Sequence, residues 1–159
     1  MSSEVTRRGA VLAALGVLAG CGFAPALGRG SAALALQNAV AVDTPDSVRG
    51  FQLREAIADR IGQGARFRLE VTLDERQEAA TVTQEGDIAR FQLIGRADWR
   101  LTEGDALRAS GVSQGFTSFA ATGSTVATQA AAADAGARLA AILADTILAD
   151  LTLAAGGWG

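Results

Sequence analysis

Ala65-Arg66-Phe67-Arg68-Leu69-Glu70-Val71-Thr72-Leu73 alternates polar and apolar residues without a break. A period of two belongs to a strand with one buried and one wet face. Phe67, Leu69, Val71 and Leu73 are therefore assigned to a core, and Arg66, Arg68, Glu70 and Thr72 to solvent. The period returns over residues 88–101, where Phe91, Leu93, Ala97, Trp99 and Leu101 share one face and Arg90, Gln92, Arg96, Asp98 and Arg100 the other. Glu85-Gly86-Asp87 supplies a turn between the two runs, and residues 74–78 read either as a bulge or as an exposed continuation of the first run to Val82. Gly104-Asp105 makes the next hairpin turn. It leads to a further strand over residues 106–117, whose apolar parity changes near Gly111, a change that suggests a bulge there.

Outward from this meander, residues 33–42 are nearly uncharged and apolar, consistent with a first strand buried on both faces or, given their Ala content, with a helix. Thr44-Pro45-Asp46-Ser47 is a helix start, with Thr44 as cap and Pro45 in the first position. Leu53, Ile57 and Ile61 then form one apolar stripe, with Val48 and Ala56 nearby, and Gly62 and Gly64 stop the helix. After a small polar loop, Ser124 or Thr125 caps a long helix running to about Ala155, with Leu139, Ile142, Leu143, Ile147 and Leu151 as its stripe. Asp134, Arg138, Asp145 and Asp150 interrupt it too often for a membrane span. The expected fold is α+β, a two-layer sandwich with a four-stranded sheet packed by two helices in the order β-α-β-β-β-α. It occupies residues 33–155 as a single domain, with 156–159 as a tail.

The 159 residues include no His, no Tyr and one Cys, and all 14 basic residues are Arg. His-ligated metal sites, Ser-His-Asp and Cys-His catalysis, lysine Schiff bases and Walker-type phosphate loops are thereby excluded, and no cofactor is expected. A formal charge of −3 without a basic stripe argues against nucleic acid. Paired carboxylates are the one catalytic arrangement that composition permits. Glu70, Asp74, Glu75 and Glu78 cluster, and a glycosidase would need one of them desolvated. With Arg alternating beside them, a solvated charged face is the better reading, and no enzyme activity is expected. Arg66, Arg68, Arg90, Arg96, Arg100 and Arg108 project from the wet side of the meander. Such guanidinium forks suit phosphate or carboxylate groups, so Arg66, Arg68, Arg90, Arg96 and Arg100 are the candidate contacts for an anionic ligand. The competing reading is cross-strand pairing with Glu70 and Asp98.

The chain begins with a basic segment (Arg7-Arg8), an uncharged run over residues 9–18 and then Leu18-Ala19-Gly20-Cys21. This is the order of a secretory signal, with an apolar run shorter than the roughly 20 residues of a spanning helix. Leu-Ala-Gly-Cys resembles the bacterial lipobox, in which the Cys receives a diacylglycerol and the chain is cut before it. The implied organisation is a signal peptide over 1–20, then a lipidated Cys21 and tether over 21–32. Two or three acyl chains, at about 0.8 kcal/mol per buried CH₂, make such an anchor durable.

Cys21-Gly22-Phe23-Ala24-Pro25, the helix–meander–helix order, and the segment from Ser118-Phe119 to Leu151 together resemble the lipopolysaccharide-assembly outer-membrane lipoprotein family. Within that segment the resemblance rests on Ser118-Phe119-Ala120-Ala121-Thr122-Gly123-Ser124, on Ala132-Ala133-Asp134-Ala135-Gly136-Ala137-Arg138-Leu139, and on Leu143-Ala144-Asp145-Thr146-Ile147-Leu148-Ala149-Asp150-Leu151. The resemblance implies a partner, the large β-barrel translocon that inserts lipopolysaccharide into the outer leaflet (the LptD barrel), plugged 1:1 from its periplasmic side. It also implies lipopolysaccharide contacts through basic residues near the sheet edge, although the tip Gln84-Glu85-Gly86-Asp87 is acidic here. Gly22 after the Cys resembles an outer-membrane sorting signal. An auxiliary lipoprotein of another envelope lipid transporter is the competing assignment.

Overall fold

The alternating segment is the proximal half of a long strand. The computed structural model describes residues 32–82, 88–121 and 124–156. Its elements are α1 (Ala32–Leu36), β1 (Val40–Asp43), α2 (Val48–Ile61), β2 (Phe67–Val82), β3 (Ile88–Glu103), β4 (Ala106–Ala120) and α3 (Thr125–Ala155). The strands lie in the order β1-β2-β3-β4 in one sheet; β1 runs parallel to β2, and the other pairs are antiparallel. The two long helices pack on one face, so the architecture is the α+β arrangement expected from the order of elements.

Period two decides which side of the sheet is dry. Phe67, Leu69, Val71, Leu93, Ala97, Trp99 and Leu101 are buried, as are Leu53, Ile57 and Ile61 of α2 and Leu139, Leu143, Ile147 and Leu151 of α3. Arg60 of α2 pairs with Asp145 of α3 at the helix–helix seam. Arg49 of α2 reaches down to Glu75 of β2 (Nε to Oε1, 2.8 Å) and to Gln52, and its guanidinium lies against Gly136 of α3, where a Cβ would stand 2.0 Å from its nitrogens.

Three local expectations are corrected, and for residues 74–78 the second of the two readings, continuation of the strand to Val82, is the one observed. Residues 33–42 are not one strand: Ala and Leu, strong helix formers, wind the short α1. Asn38, at a positive φ of 51°, then turns the chain into a β1 of only four residues. The cap of α2 is Ser47 rather than Thr44. The Ser47 hydroxyl accepts from the Gly50 N–H at 3.0 Å, while Thr44 donates to the Gly50 carbonyl at 2.9 Å and braces the same turn. Pro45 thus precedes the helix, and Gly62, at φ 71°, ends it as the spacing predicts. Residues 74–78 continue β2 in register with β3, and the irregularity comes later, between Ala79 and Thr81. The irregularity in β4 lies not at Gly111 but next to the hairpin, where Arg108 is left between Leu107 and Ala109, opposite Thr102 and Leu101.

Gly111 has another cause. It lies opposite Trp99, and a Cβ there would sit 2.5 Å from the indole Cζ2. The inner face of β4 is Ala109, Gly111, Ser113, Gly115, Thr117 and Phe119, small residues over which α3 lies close: a Cβ on Gly115 would be 2.8 Å from Ile142 Cγ2. Its polar members are satisfied. Thr117 donates to the Ala135 carbonyl at 3.0 Å, and Ser113 accepts from Trp99 Nε1 at 3.0 Å while donating to Asp150 Oδ2 at 2.7 Å. Val112 and Phe116 consequently point outward, 44% and 63% exposed. Ile142, assigned to the buried stripe, is also part-exposed (38%), lying over Gly115 at the edge of the sheet. Val48, expected near the α2 stripe, is exposed, and Glu85-Gly86-Asp87 lies outside the described residues.

Candidate functional site: the outer face of the sheet

The helix-free face of the sheet carries every second residue of β2 and β3, so the meander gathers on one surface the charges that alternate in sequence. A shallow groove of about 570 Å³ runs across it, lined by Asp43 and Thr44 at the end of β1, Glu70 and Thr72 of β2, Asp98 and Arg100 of β3, and Ser110 and Val112 of β4.

The five candidate guanidiniums are on or beside this face, but most are occupied by acids of the chain itself. Arg68 pairs with Asp43. Arg96 binds Asp98 through two parallel hydrogen bonds of 2.9 and 2.7 Å, the fork geometry that raises the Arg96 pKa further above its ordinary value. Arg66 (2.8 Å) and Arg108 both donate to Glu103, and these bonds, Arg66's foremost, hold its carboxyl below the usual range. Arg90 makes only a 3.3 Å hydrogen bond to the Ser118 hydroxyl. Arg100 faces Glu70 and Ser110 in register, and among the described residues it makes no ion pair. Pairing with the chain's own acids is thus the stronger reading for most of the set, but not with the acids expected. Glu70 makes no ion pair among the described residues, and Asp98 binds Arg96 along its own strand. The cross-strand partners are Asp43 and Glu103, which lie outside the meander's own alternation and which period-two reasoning misses. Arg90 and Arg100 are the two candidates that make no ion pair among the described residues.

The carboxylate cluster does not converge. Glu70 and Asp74 share the outer face, but four residues of strand separate them by about 13 Å, beyond the roughly 5–9.5 Å of a glycosidase pair. Glu75 turns to the other face to meet Arg49, and Glu78 pairs with Arg76 at 2.9 Å. Among the described residues no three acidic or Cys side chains group as a metal site. No helix there is long and apolar enough to cross a membrane. Cys21 lies outside the described residues.

A two-layer fold of this kind is found in solved structures of bacterial lipoproteins. Three of them are similar to this chain over most of its length. A putative lipoprotein from Caulobacter crescentus superimposes with a TM-score of 0.66 at 24% identity, covering 81% of this chain and 98% of that one. Lipoprotein B from Nitrosomonas europaea gives 0.58 at 17% identity, over 85% and 94% of the two chains. The rare lipoprotein B from Shewanella oneidensis gives 0.56 at 13%, over 73% and 95%. The sequence profile of the LptE family, described as lipopolysaccharide-assembly, matches residues 37–151, and the chain belongs to this family. Its role accordingly lies in lipopolysaccharide assembly in the bacterial envelope. No curated protein sequence matches the chain.

Proposed function

We propose that this protein is an outer-membrane lipoprotein, anchored at the periplasmic face through Cys21, that plugs and assists assembly of the β-barrel translocon delivering lipopolysaccharide to the cell surface. Membership of the lipopolysaccharide-assembly family over residues 37–151 carries the proposal. The outer face supports it: Asp43, Asp98 and Glu103 already hold most of the guanidiniums, which favours recognition by shape and backbone over capture of a free anion. An interface of this kind buries polar and apolar surface together. Arg100, which lines the groove and makes no ion pair among the described residues, is the residue through which a lipopolysaccharide phosphate would be met there.

Co-expression with the barrel followed by affinity purification is the test. The expected result is a 1:1 complex that survives removal of the lipid and protects the domain from proteases, with loss of the lipoprotein leaving misassembled barrel and an envelope leaky to hydrophobic antibiotics. Recovery of components of a different lipid transporter, with no barrel, would replace this reading with that of an auxiliary transport lipoprotein.

A further inference from the structure

One rim of the sheet is β4. The Ala121 N–H donates to the Ala89 carbonyl at 3.0 Å, and the register runs unbroken from there back to Ala109 opposite Leu101. Odd residues of β4 therefore bond to β3, and Ser110, Val112, Gln114, Phe116 and Ser118 turn their N–H and C=O groups outward. Among the described residues one of these groups meets a side chain: the Ser118 carbonyl accepts from Arg138 Nη2 at 3.3 Å. Residues 109–120 hold no charged residue and no Pro, the usual guards of such an edge.

The outer-face side chains of this strand read alike in both directions. Gln114 is flanked by an apolar residue on each side (Val112, Phe116), and beyond each of these stands a serine (Ser110, Ser118). An antiparallel neighbour runs the opposite way. A second copy of β4, laid along the first with Gln114 opposite Gln114, thus meets its own kind at every outer position, as a two-fold contact requires. Val112 faces Phe116 of the other copy, twice, and Ser110 faces Ser118. Ile94 of β3 lies in register with Phe116, so each apolar pair extends to a row of three. Other centres lose the match. With Val112 on the axis, Phe116 meets Arg108; with Phe116 on the axis, Gln114 meets Ser118 and Ser110 has no partner in the strand.

We infer that β4 is a self-pairing edge, through which two copies of this chain join antiparallel about Gln114 into one continuous sheet. The five outward pairs exchange about ten hydrogen bonds, a usual number for a protein interface. Because the edge carries no charge, the symmetric contact sets no like charges against each other. Area fixes the strength. Residues 110–118 offer a strip about 31 Å long and 10 Å deep, roughly 600 Å² over both copies, short of the roughly 1,000 Å² of a stable interface. The dimer is therefore weak and reversible, a form of the free lipoprotein that yields to a 1:1 complex with a barrel. The inference does not rest on the proposed function.

Cysteine reporters in the full-length chain, oxidised in the membrane fraction, test the register. Opposed residues stand about 5.5 Å apart at Cα, within the span of a disulfide. Gln114→Cys should cross-link to a second copy, and so should Val112→Cys mixed with Phe116→Cys. Val112→Cys alone, about 15 Å from its mate, should not. The parent, whose one thiol is Cys21, is the control. Sedimentation of the purified lipoprotein should show a monomer–dimer equilibrium. Val112→Lys/Phe116→Lys, which sets Lys against Lys, should weaken it about tenfold, and Val112→Lys/Phe116→Glu, which sets Lys against Glu, should restore it. No cross-link with Gln114→Cys, equal cross-linking by Val112→Cys alone, or equal dissociation constants for the two charge variants would overturn the self-pairing edge. Recovery of a barrel by the unaltered lipoprotein, measured separately, bears on the proposed function alone.

Discussion

Trp99 is the residue on which three elements meet. Its indole lies against Gly111, donates to Ser113 of β4, and through that hydroxyl is tied to Asp150 of α3. Ser113 is 1% exposed, so Ser113→Ala leaves a buried indole N–H without a partner. The expected cost is about 1–3 kcal/mol, read as a lower urea midpoint at an unchanged slope; a midpoint within error of the parent would remove the network from the list of stabilising contacts. Glu103 makes a second prediction at this scale. Its carboxyl is held below the usual range by Arg66 first and Arg108 second. A depressed folded pKa means that the stabilising contribution is complete above the unfolded value of about 4.3 and disappears as pH falls through the folded value. Carbon-detected titration of the Glu103 carboxyl should show a midpoint under the ordinary range, and Arg66→Ala should move it back upward.

Among the elements, β2 offers the sharpest contrast between faces. Leu69 is fully buried, whereas Arg68 is exposed and paired with the exposed Asp43. Leu69→Ala should cost about 2–5 kcal/mol through the cavity it leaves, and Arg68→Ala no more than about 1 kcal/mol; equal unfolding midpoints would contradict the register. This contrast was legible in the sequence because β2 and β3 bury large side chains on one face only. Strand β4 was less so. Where α3 comes close, the inner face is Gly, Ser and Thr, and the large residues Val112 and Phe116 are on the wet side, so apolar parity inverts without a bulge. The ion pairs were partly hidden for a related reason: Asp43 and Arg49 come from outside the meander, and only the register brings them to Arg68 and Glu75. The open edge was invisible, since no pattern within β4 records that nothing pairs beyond it.

At the level of the whole molecule, the domain's work depends on where it is held. In the proposed arrangement Cys21 holds it, so Cys21→Ala should leave an unprocessed precursor or a protein released from the membrane fraction; normal processing and retention of the variant would defeat the anchor. Helix α3 has a consequence of a different kind. It follows the sheet in the chain, yet it supplies Leu139, Leu143, Ile147 and Leu151 to the core and covers the inner faces of β3 and β4. A chain that emerges from an export channel amino end first has therefore made its whole meander before the lid for it arrives. Until then Leu93, Trp99 and Leu101 stand bare on a sheet whose outermost strand is unguarded, a combination that invites aggregation. The nascent protein should accordingly be a client of periplasmic holdases during translocation, and a chain ended after residue 124 should remain bound to them where the intact chain is released.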